Sequence, residues 1–381
     1  MNISFDALPI QGDKLTGIGW CEVGQTTAMA RLFPENEYIY TCFGGSDRKA
    51  CTERLSEFAG DKIKIRTADF YGKLYRTITS FAPVPYSGFF GKDADITHFF
   101  NYIVPPGVHG KKAVTVHDMV CKAFPETVRG RTRLMLAAGL KTSMKRADII
   151  VTDSEFSRSE IIKYYPKFEE KIRVVPCGVD LGKFRPCDQP ERIPAVKESL
   201  GIEGDYFLYV GTIEPRKNLE RLINGYCILS RNVNAPPKLV LAGAKGWLCD
   251  HIYARVQELG LENNVIFTKY VPAEDMNPLM CGALAFVFPS LYEGFGMPPL
   301  EAMASGVPVL TTEAASLPEV VGDCAVICQP HSSKSIAKGL YRLYSDKKLR
   351  DDLSRRGLER AKTMTWDKSA EQLYSVYKEL L

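Results

Sequence analysis

The sequence predicts an α/β protein made of two doubly wound parallel-sheet domains, and three observations carry that reading. Short apolar, β-branched runs alternate with amphipathic helical stretches along the chain, the pattern of βα units feeding parallel sheets. At 381 residues the chain is too long for one ordinary core, and domains of about 100 to 200 residues make two the natural number. Near the middle, FRPCDQPERIPAVKESLG at 184–201 interrupts the βα rhythm with three prolines and mixed charge, the composition of a domain boundary.

In chain order, the first half offers strands at NISFDAL, YIYTCF, IKIRTA, ITHFFN, KAVTVHD, ADIIVTDS and IRVVPCGV. The second half offers YFLYVGT, KLVLAGA, NVIFTKY, ALAFVFPS, VPVLTT and CAVICQP. The expected domains are therefore 1–188 and 189–365. The last stretch, TWDKSAEQLYSVYKELL, reads as a helix with Thr365 as N-cap and apolar residues at 366, 370, 373, 374 and 377, a stripe that needs a packing partner.

Composition excludes several classes. Hydrophobic residues at 45% and charged residues at 25% are the values of a globular chain, not of a disordered or collagen-like one. The longest apolar run, MCGALAFVF at 280–288, is well short of the roughly 18 to 20 residues a membrane helix needs. The start, MNISFDALPIQGDK, has neither the basic beginning nor the long apolar core of a signal peptide, so a cytoplasmic location is expected. Eleven cysteines occur without a CxxC pair or a Cys/His cluster of zinc spacing, which argues for reduced, mostly buried thiols and against a disulfide framework or metal site.

Charge is uneven. Residues 1–190 hold 27 Lys and Arg against 22 Asp and Glu, and nine of those cations lie in 111–146. There RGRTRLMLAAGLKTSMKR alternates a basic with an apolar face, compatible either with an ordinary solvated helix or with peripheral contact to an anionic membrane. Nucleic acid is not expected as a partner, because aromatics are not interleaved with the basic run.

Ligands of open α/β sheets bind beyond the carboxyl ends of strands, so residues just after each strand are the candidates. QGDKLTGIGWCEV at 11–23 carries Gly17 and Gly19 ahead of a helix, where backbone can approach a ligand closely. It lacks a GxGxxG fingerprint, so no dinucleotide cofactor is indicated. His117 and Asp118 end the strand AVTVHD, and Asp118 alone suits a capping role. FLYVGTIEPRKNLERLI puts Arg216 and Lys217 beside a helix start near Asn218, a setting that favours a phosphate. FPSLYEGFGMPPLEAMASG sets Glu293 on a glycine turn and Glu301 in what reads as the first helical turn.

Taken together and in this order, TGIG, VHD, VGTIEPRKN and Glu293-x7-Glu301 within FPSLYEGFGMPPLEAMASGVPVLT resemble the retaining GT-B glycosyltransferases of family 4. SLPEVVGD at 316–323 and VVPCGVD at 174–180 extend the resemblance over essentially the whole chain. It implies two Rossmann-like domains facing a cleft, the acceptor held mostly by the first and a nucleotide sugar by the second. It also implies that the final helix, 366–381, returns to complete the first domain.

Carried over by position, Glu293 holds the donor sugar near its reacting carbon and Glu301 accepts the ribose hydroxyls. The backbone of Gly294, Phe295, Gly296 and Met297 contacts the sugar. Arg216 and Lys217 stabilise the departing diphosphate in place of a metal, and Thr212 stands where many relatives have another cation. His117 contacts the donor sugar, Gly17 and Gly19 lie against diphosphate and acceptor, and Tyr270 with Val271 mark where the base lodges. No cofactor is implied, since the nucleotide sugar is the substrate.

The resemblance is strongest to bacterial mannosyltransferases. GDP-mannose is the expected donor, and a lipid-linked or oligosaccharide acceptor in surface polysaccharide synthesis is expected. UDP-glucose, UDP-galactose and UDP-N-acetylglucosamine suit the same residues. An epimerase or phosphorylase on the same scaffold, or an inactive sugar-binding protein, is the alternative. Asp-Ala-Asp at 93–95 matches the metal-binding triplet of a different transferase class, but it precedes a strand and is not taken as a metal site.

Overall fold

The computed structural model describes residues 1–12, 15–79 and 82–381. Positions 13 and 14 of the predicted glycine loop lie outside the described residues. The chain divides into two compact units, 1–178 with 366–381 and 179–365, so the first unit ends at Gly178, ahead of the proline-rich stretch.

The first unit holds β1 (Asn2–Asp6), β2 (Glu37–Phe43), β3 (Ile63–Ala68), β4 (Ile96–Phe99), β5 (Lys111–Thr115), β6 (Ile149–Thr152) and β7 (Ile172–Val174). They form one sheet in the order β3-β2-β1-β4-β5-β6-β7. Neighbouring strands run parallel. The second unit holds β8 (Tyr206–Val210), β9 (Lys238–Ala242), β10 (Val265–Lys269), β11 (Ala285–Phe288), β12 (Val309–Thr312) and β13 (Ala325–Cys328), again parallel, in the order β10-β9-β8-β11-β12-β13. Each predicted strand is present, and all but β2, β3 and β12 end before the predicted run does, where the chain turns away.

Runs such as AFVF and IIVT are buried throughout, as parallel strands covered by helices on both faces must be. Both sheets reverse strand order once, between β1 and β4 and between β8 and β11. Such a reversal opens a crevice at the carboxyl ends, because the flanking connections leave in opposite directions.

The final helix, Trp366–Lys378, packs against Gly17–Leu32 in the first unit. Gly24 is required there, because a Cβ would come within 2.2 Å of the Trp366 ring. Tyr374 stacks on Phe33 at 3.8 Å, and Ser369 Oγ donates to Pro176 O at 2.6 Å. Tyr377 meets buried His98 Nδ1 at 2.5 Å, while His98 Nε2 meets Thr115 Oγ1 at 2.8 Å.

One expectation is corrected, and three others acquire a structural setting. Cys42 and Cys51 form a disulfide, so the all-thiol reading holds only for the other nine cysteines. In the Gly130–Arg146 helix, Leu136, Leu140 and Met144 face the core; Leu134, at 72% exposure, and Met135 remain outside. The 93–95 triplet is structural: Asp93 grips Arg66 through two 2.7 Å contacts, and Asp95 Oδ2 accepts from Asn2 N at 2.8 Å. Among the described residues, no helix is long and apolar enough to cross a membrane.

Candidate active site

In the second unit the loops after β8 and β11 converge at the strand-order reversal. After β8 the chain passes Gly211, at φ +151° where a Cβ would strike Tyr209 Oη, and makes a single 3-10 turn, Pro215–Lys217. Asn218 adopts the left-handed conformation at φ 61° and starts the helix Leu219–Ser230. Its side chain fixes that bend by donating to Pro289 O at 2.9 Å and Pro330 O at 2.7 Å. Arg216 and Lys217 thus sit on a rigid corner, one turn ahead of the helix.

After β11, the turn to the Met297–Ala304 helix carries Glu293. Ser316 Oγ lies 2.9 Å from Glu293 O and 2.6 Å from Phe295 O, holding the main chain of the turn. Gly296, at φ +115°, supplies the left-handed residue the turn requires.

Glu293 Oε1 accepts from Lys217 Nζ at 2.7 Å and Oε2 from Arg216 Nη1 at 2.9 Å. Arg216 also donates to Tyr292 O at 2.6 Å and to Glu214 at 2.9 Å. Burial alone would raise the Glu293 pKa, but Arg216 and Lys217 outweigh it and hold the carboxyl at about 2. Glu293 is therefore an ionised acceptor and cannot hold a proton for general-acid work at neutral pH. Lys217 is pulled below its ordinary value by burial, reinforced by Arg216 and opposed by Glu293. Its ammonium also lies 5.0 Å from the Phe288 ring centroid, a favourable cation–π distance.

Glu301 falls one turn later in the helix than expected, so its first-turn dipole role lapses. No hydrogen bond reaches its side chain among the described residues. Burial pushes its pKa up to about 7, with Lys183 opposing. An unpartnered carboxyl of this kind can accept two vicinal hydroxyls. Thr212 is exposed and Gly294 to Gly296 are buried in the turn, with Met297 half-buried at the helix start. After β10, Tyr270 is 55% exposed while Val271 is buried.

The remaining predicted residues belong to the first unit. His117 follows β5, buried, with Nδ1 at 2.7 Å from Asp153 Oδ2 and Nε2 at 2.8 Å from Phe100 O. Burial would lower its pKa, but Asp153 lifts it to about 10, making the ring an imidazolium with both nitrogens engaged. Asp118 accepts from Val120 N at 3.0 Å, the capping role the sequence allowed. Gly17 is the first residue of the Gly17–Leu32 helix rather than part of a loop, and a Cβ on Gly19 would come within 2.9 Å of Pro9 O. Packing therefore explains Gly19.

Sequence reasoning missed the partners: Asp153, Glu214, Asn218 and Ser316 are all remote in sequence from the residues they support or too ordinary locally to stand out. It also missed a buried trio, Cys21, Asp153 and Cys177, whose potential ligand atoms lie within 4.8 Å of one another. Cys177 Sγ is 3.6 Å from Cys21 Sγ. The trio has the donor types for a thiophilic cation but no sequence spacing that announces it.

Comparison with known proteins locates this geometry in a family. Residues 193–360 match the profile "Glycosyl transferases group 1" and residues 38–183 match "Glycosyltransferase Family 4". The O-antigen chain mannosyltransferase B of Escherichia coli is 36% identical over 287 residues, 74% of each chain. The serotype-specific mannosyltransferase WbdA of Escherichia coli is 30% identical over 240 residues, 62% of this chain but 29% of that longer protein. The Anabaena Alr3699/HepE structure in complex with UDP-glucose has the same fold, with a TM-score of 0.75 and 17% identity over the whole of both chains.

Proposed function

The chain belongs to the family 4 glycosyltransferases of group 1, and from that membership we propose that it moves mannose from GDP-mannose, with retention of configuration, onto a lipid-linked or oligosaccharide acceptor in surface polysaccharide synthesis. The mannose assignment draws on the two Escherichia coli relatives, both mannosyltransferases by name. The observation that carries glycosyl transfer is the Glu293 carboxylate with one cation on each oxygen, Lys217 at 2.7 Å and Arg216 at 2.9 Å.

In this reading the diphosphate of the donor takes hydrogen bonds from Arg216 and Lys217, and the two cations stabilise charge as the glycosidic bond to phosphate breaks. Glu293, already ionised, keeps the cations oriented and accepts hydroxyls of the sugar. The buried amides of Gly294 to Met297 face the same sugar, and Glu301 takes the ribose diol. Tyr270 and Val271 flank the base. Thr212 adds no charge, so the electrophilic work falls on Arg216 and Lys217 without a metal.

Because Glu293 is held near pKa 2, it does not collect the acceptor's proton. The leaving phosphate oxygen is the base that remains on the same face, consistent with retention. We assign the protein to the cytoplasmic side of the membrane, with peripheral contact through the basic helix Gly130–Arg146. The test is release of GDP from GDP-mannose, with UDP-, ADP- and dTDP-sugars as controls and EDTA present. Turnover of GDP-mannose alone supports the donor assignment; turnover of another nucleotide sugar replaces it.

A further inference from the structure

The trio Cys21, Asp153 and Cys177 of the first unit lies outside the machinery proposed for sugar transfer. Its potential ligand atoms sit within 4.8 Å of one another, and all three residues are buried. Bonds outside the trio set this spacing. Val175 N donates to Thr152 O at 2.8 Å, which brings the chain just ahead of Cys177 beside the chain just ahead of Asp153, at the ends of β7 and β6. Gln25 Nε2 donates to Ser369 Oγ at 2.9 Å and Ser369 Oγ donates to Pro176 O at 2.6 Å. The Gly17–Leu32 helix, which carries Cys21, is thereby tied to the residue next to Cys177.

Two observations point to a shared ion. Cys177 Sγ lies 3.6 Å from Cys21 Sγ, far beyond the about 2.05 Å of a disulfide. It is close to the about 3.8 Å that separates two sulfurs each bound at about 2.3 Å to one tetrahedral zinc ion. The second observation is at Asp153. Its Oδ2 is committed to His117 Nδ1 at 2.7 Å, whereas Oδ1, also buried, has no hydrogen-bond partner among the described residues. A thiol–thiol hydrogen bond accounts for the sulfur contact but leaves Oδ1 unmet, and a buried carboxylate oxygen without a partner is costly. A cation shared by the three removes that cost.

Two sulfurs and one carboxylate oxygen suit zinc; magnesium and calcium take oxygen donors. The His117 bond orients the carboxylate as outer partners of metal ligands do. We propose that Cys21, Cys177 and Asp153 bind one zinc ion as a structural clip, joining the Gly17–Leu32 helix to the ends of β6 and β7, with a solvent oxygen in the fourth position. Both sulfurs coordinate as thiolates, so their two protons leave as the ion enters. The ion takes no part in sugar transfer, and the inference stands whatever the donor proves to be.

The experiment measures metal content of the full chain. The protein is purified under reducing conditions from zinc-supplemented culture, passed through metal-free buffer and analysed by plasma mass spectrometry. Cys21→Ser, Cys177→Ser and Asp153→Asn are compared with Cys227→Ser, which alters a buried cysteine of the second unit and controls for handling. The wild type is also produced in zinc-depleted, cobalt-supplemented medium, because cobalt(II) absorption reports thiolate ligands and tetrahedral geometry without any substitution.

The wild type and Cys227→Ser are expected to hold one zinc ion per chain, and the three ligand variants roughly a tenth of that or less. The cobalt protein is expected to show a thiolate-to-cobalt charge-transfer band and the intense visible bands of tetrahedral coordination. A wild type without zinc overturns the inference, as does zinc that Cys21→Ser and Cys177→Ser both retain. A cobalt spectrum lacking the thiolate band overturns it even if the serine variants fail to fold. A linked Cys21–Cys177 peptide in protein alkylated at lysis without reductant overturns it too, by assigning the pair to a disulfide.

Discussion

Glu293 and Lys217 form a 2.7 Å ion pair with side chains only 10% and 11% exposed. Arg216 closes the other carboxylate oxygen at 2.9 Å. In the resting protein the two cations proposed to receive a diphosphate are thus already neutralised in part by the acid proposed to receive the sugar.

That competition gives the first prediction. Glu293→Gln releases both cations, so free GDP is expected to bind at least as tightly as to the wild type, while turnover falls by roughly 10² to 10³. The unmet charges cost about 1–3 kcal/mol of stability. Calorimetric GDP binding together with steady-state turnover separates these effects. Equal losses of GDP affinity and turnover would remove Glu293 from the sugar side of the site.

Lys217→Ala is expected to lower turnover by roughly 10² or more and also to weaken GDP binding, the opposite of Glu293→Gln. Arg216→Ala should do the same, and it also leaves Glu214 without its 2.9 Å partner. Near wild-type turnover in both variants would refute the electrophilic role.

Glu301 sets a pH dependence. Its pKa of about 7 in the free protein comes from burial, and only the carboxylate can accept two ribose hydroxyls. As pH falls below 7 the ionised fraction shrinks, so nucleotide-sugar affinity should be about tenfold weaker at pH 6 than at pH 8. Glu301→Gln should bind more weakly but with a flat profile. A flat wild-type profile would contradict the ribose assignment.

Two histidines of the first unit impose opposite stability slopes. Burial, with the charge of His117 adding to it, pushes His98 down to about 3. Its contribution is whole above the unfolded value near 6.5 and is lost as pH falls towards 3, by about 1.4 kcal/mol per pH unit. His117 is raised to about 10. Its contribution is whole below about 6.5 and is lost as pH rises through 10. Urea denaturation of His98→Gln should lose the acid slope, and that of His117→Gln the alkaline one. An unchanged pH profile in either variant contradicts the corresponding assignment.

The basic helix supplies a surface prediction. Arg131, Arg133, Lys141 and Lys145 are exposed, and charges near an anionic bilayer are worth about 1 kcal/mol each. Replacing all four by glutamine should reduce binding to phosphatidylglycerol vesicles by more than tenfold. Unchanged sedimentation with vesicles would leave the helix an ordinary solvated one.

Why the sequence revealed some of this and not the rest follows from the range of each signal. Strands such as AFVF and helices such as Trp366–Lys378 are written in local periodicity and survive intact in the structure. Glu293, Arg216 and Lys217 were visible as residues after strands, yet their pairing spans 76 and 77 positions, which no local pattern encodes. The same holds for His117 with Asp153, 36 residues apart, and for Cys21 with Cys177, 156 apart. Gly17 and Gly19, expected ahead of a helix to admit a ligand, instead open the helix itself, and the close approach of Pro9 O to Gly19 spans ten residues that no local pattern connects.

The most direct test of the central claim is thermal stabilisation of the purified protein by GDP-, UDP-, ADP- and dTDP-sugars, each with EDTA and then with magnesium. At 100 times its dissociation constant the true donor adds about 2.7 kcal/mol, and GDP-mannose is expected to give that shift with EDTA present. Stabilisation by none of them, with or without magnesium, would contradict a nucleotide-sugar site built on Glu293, Arg216 and Lys217.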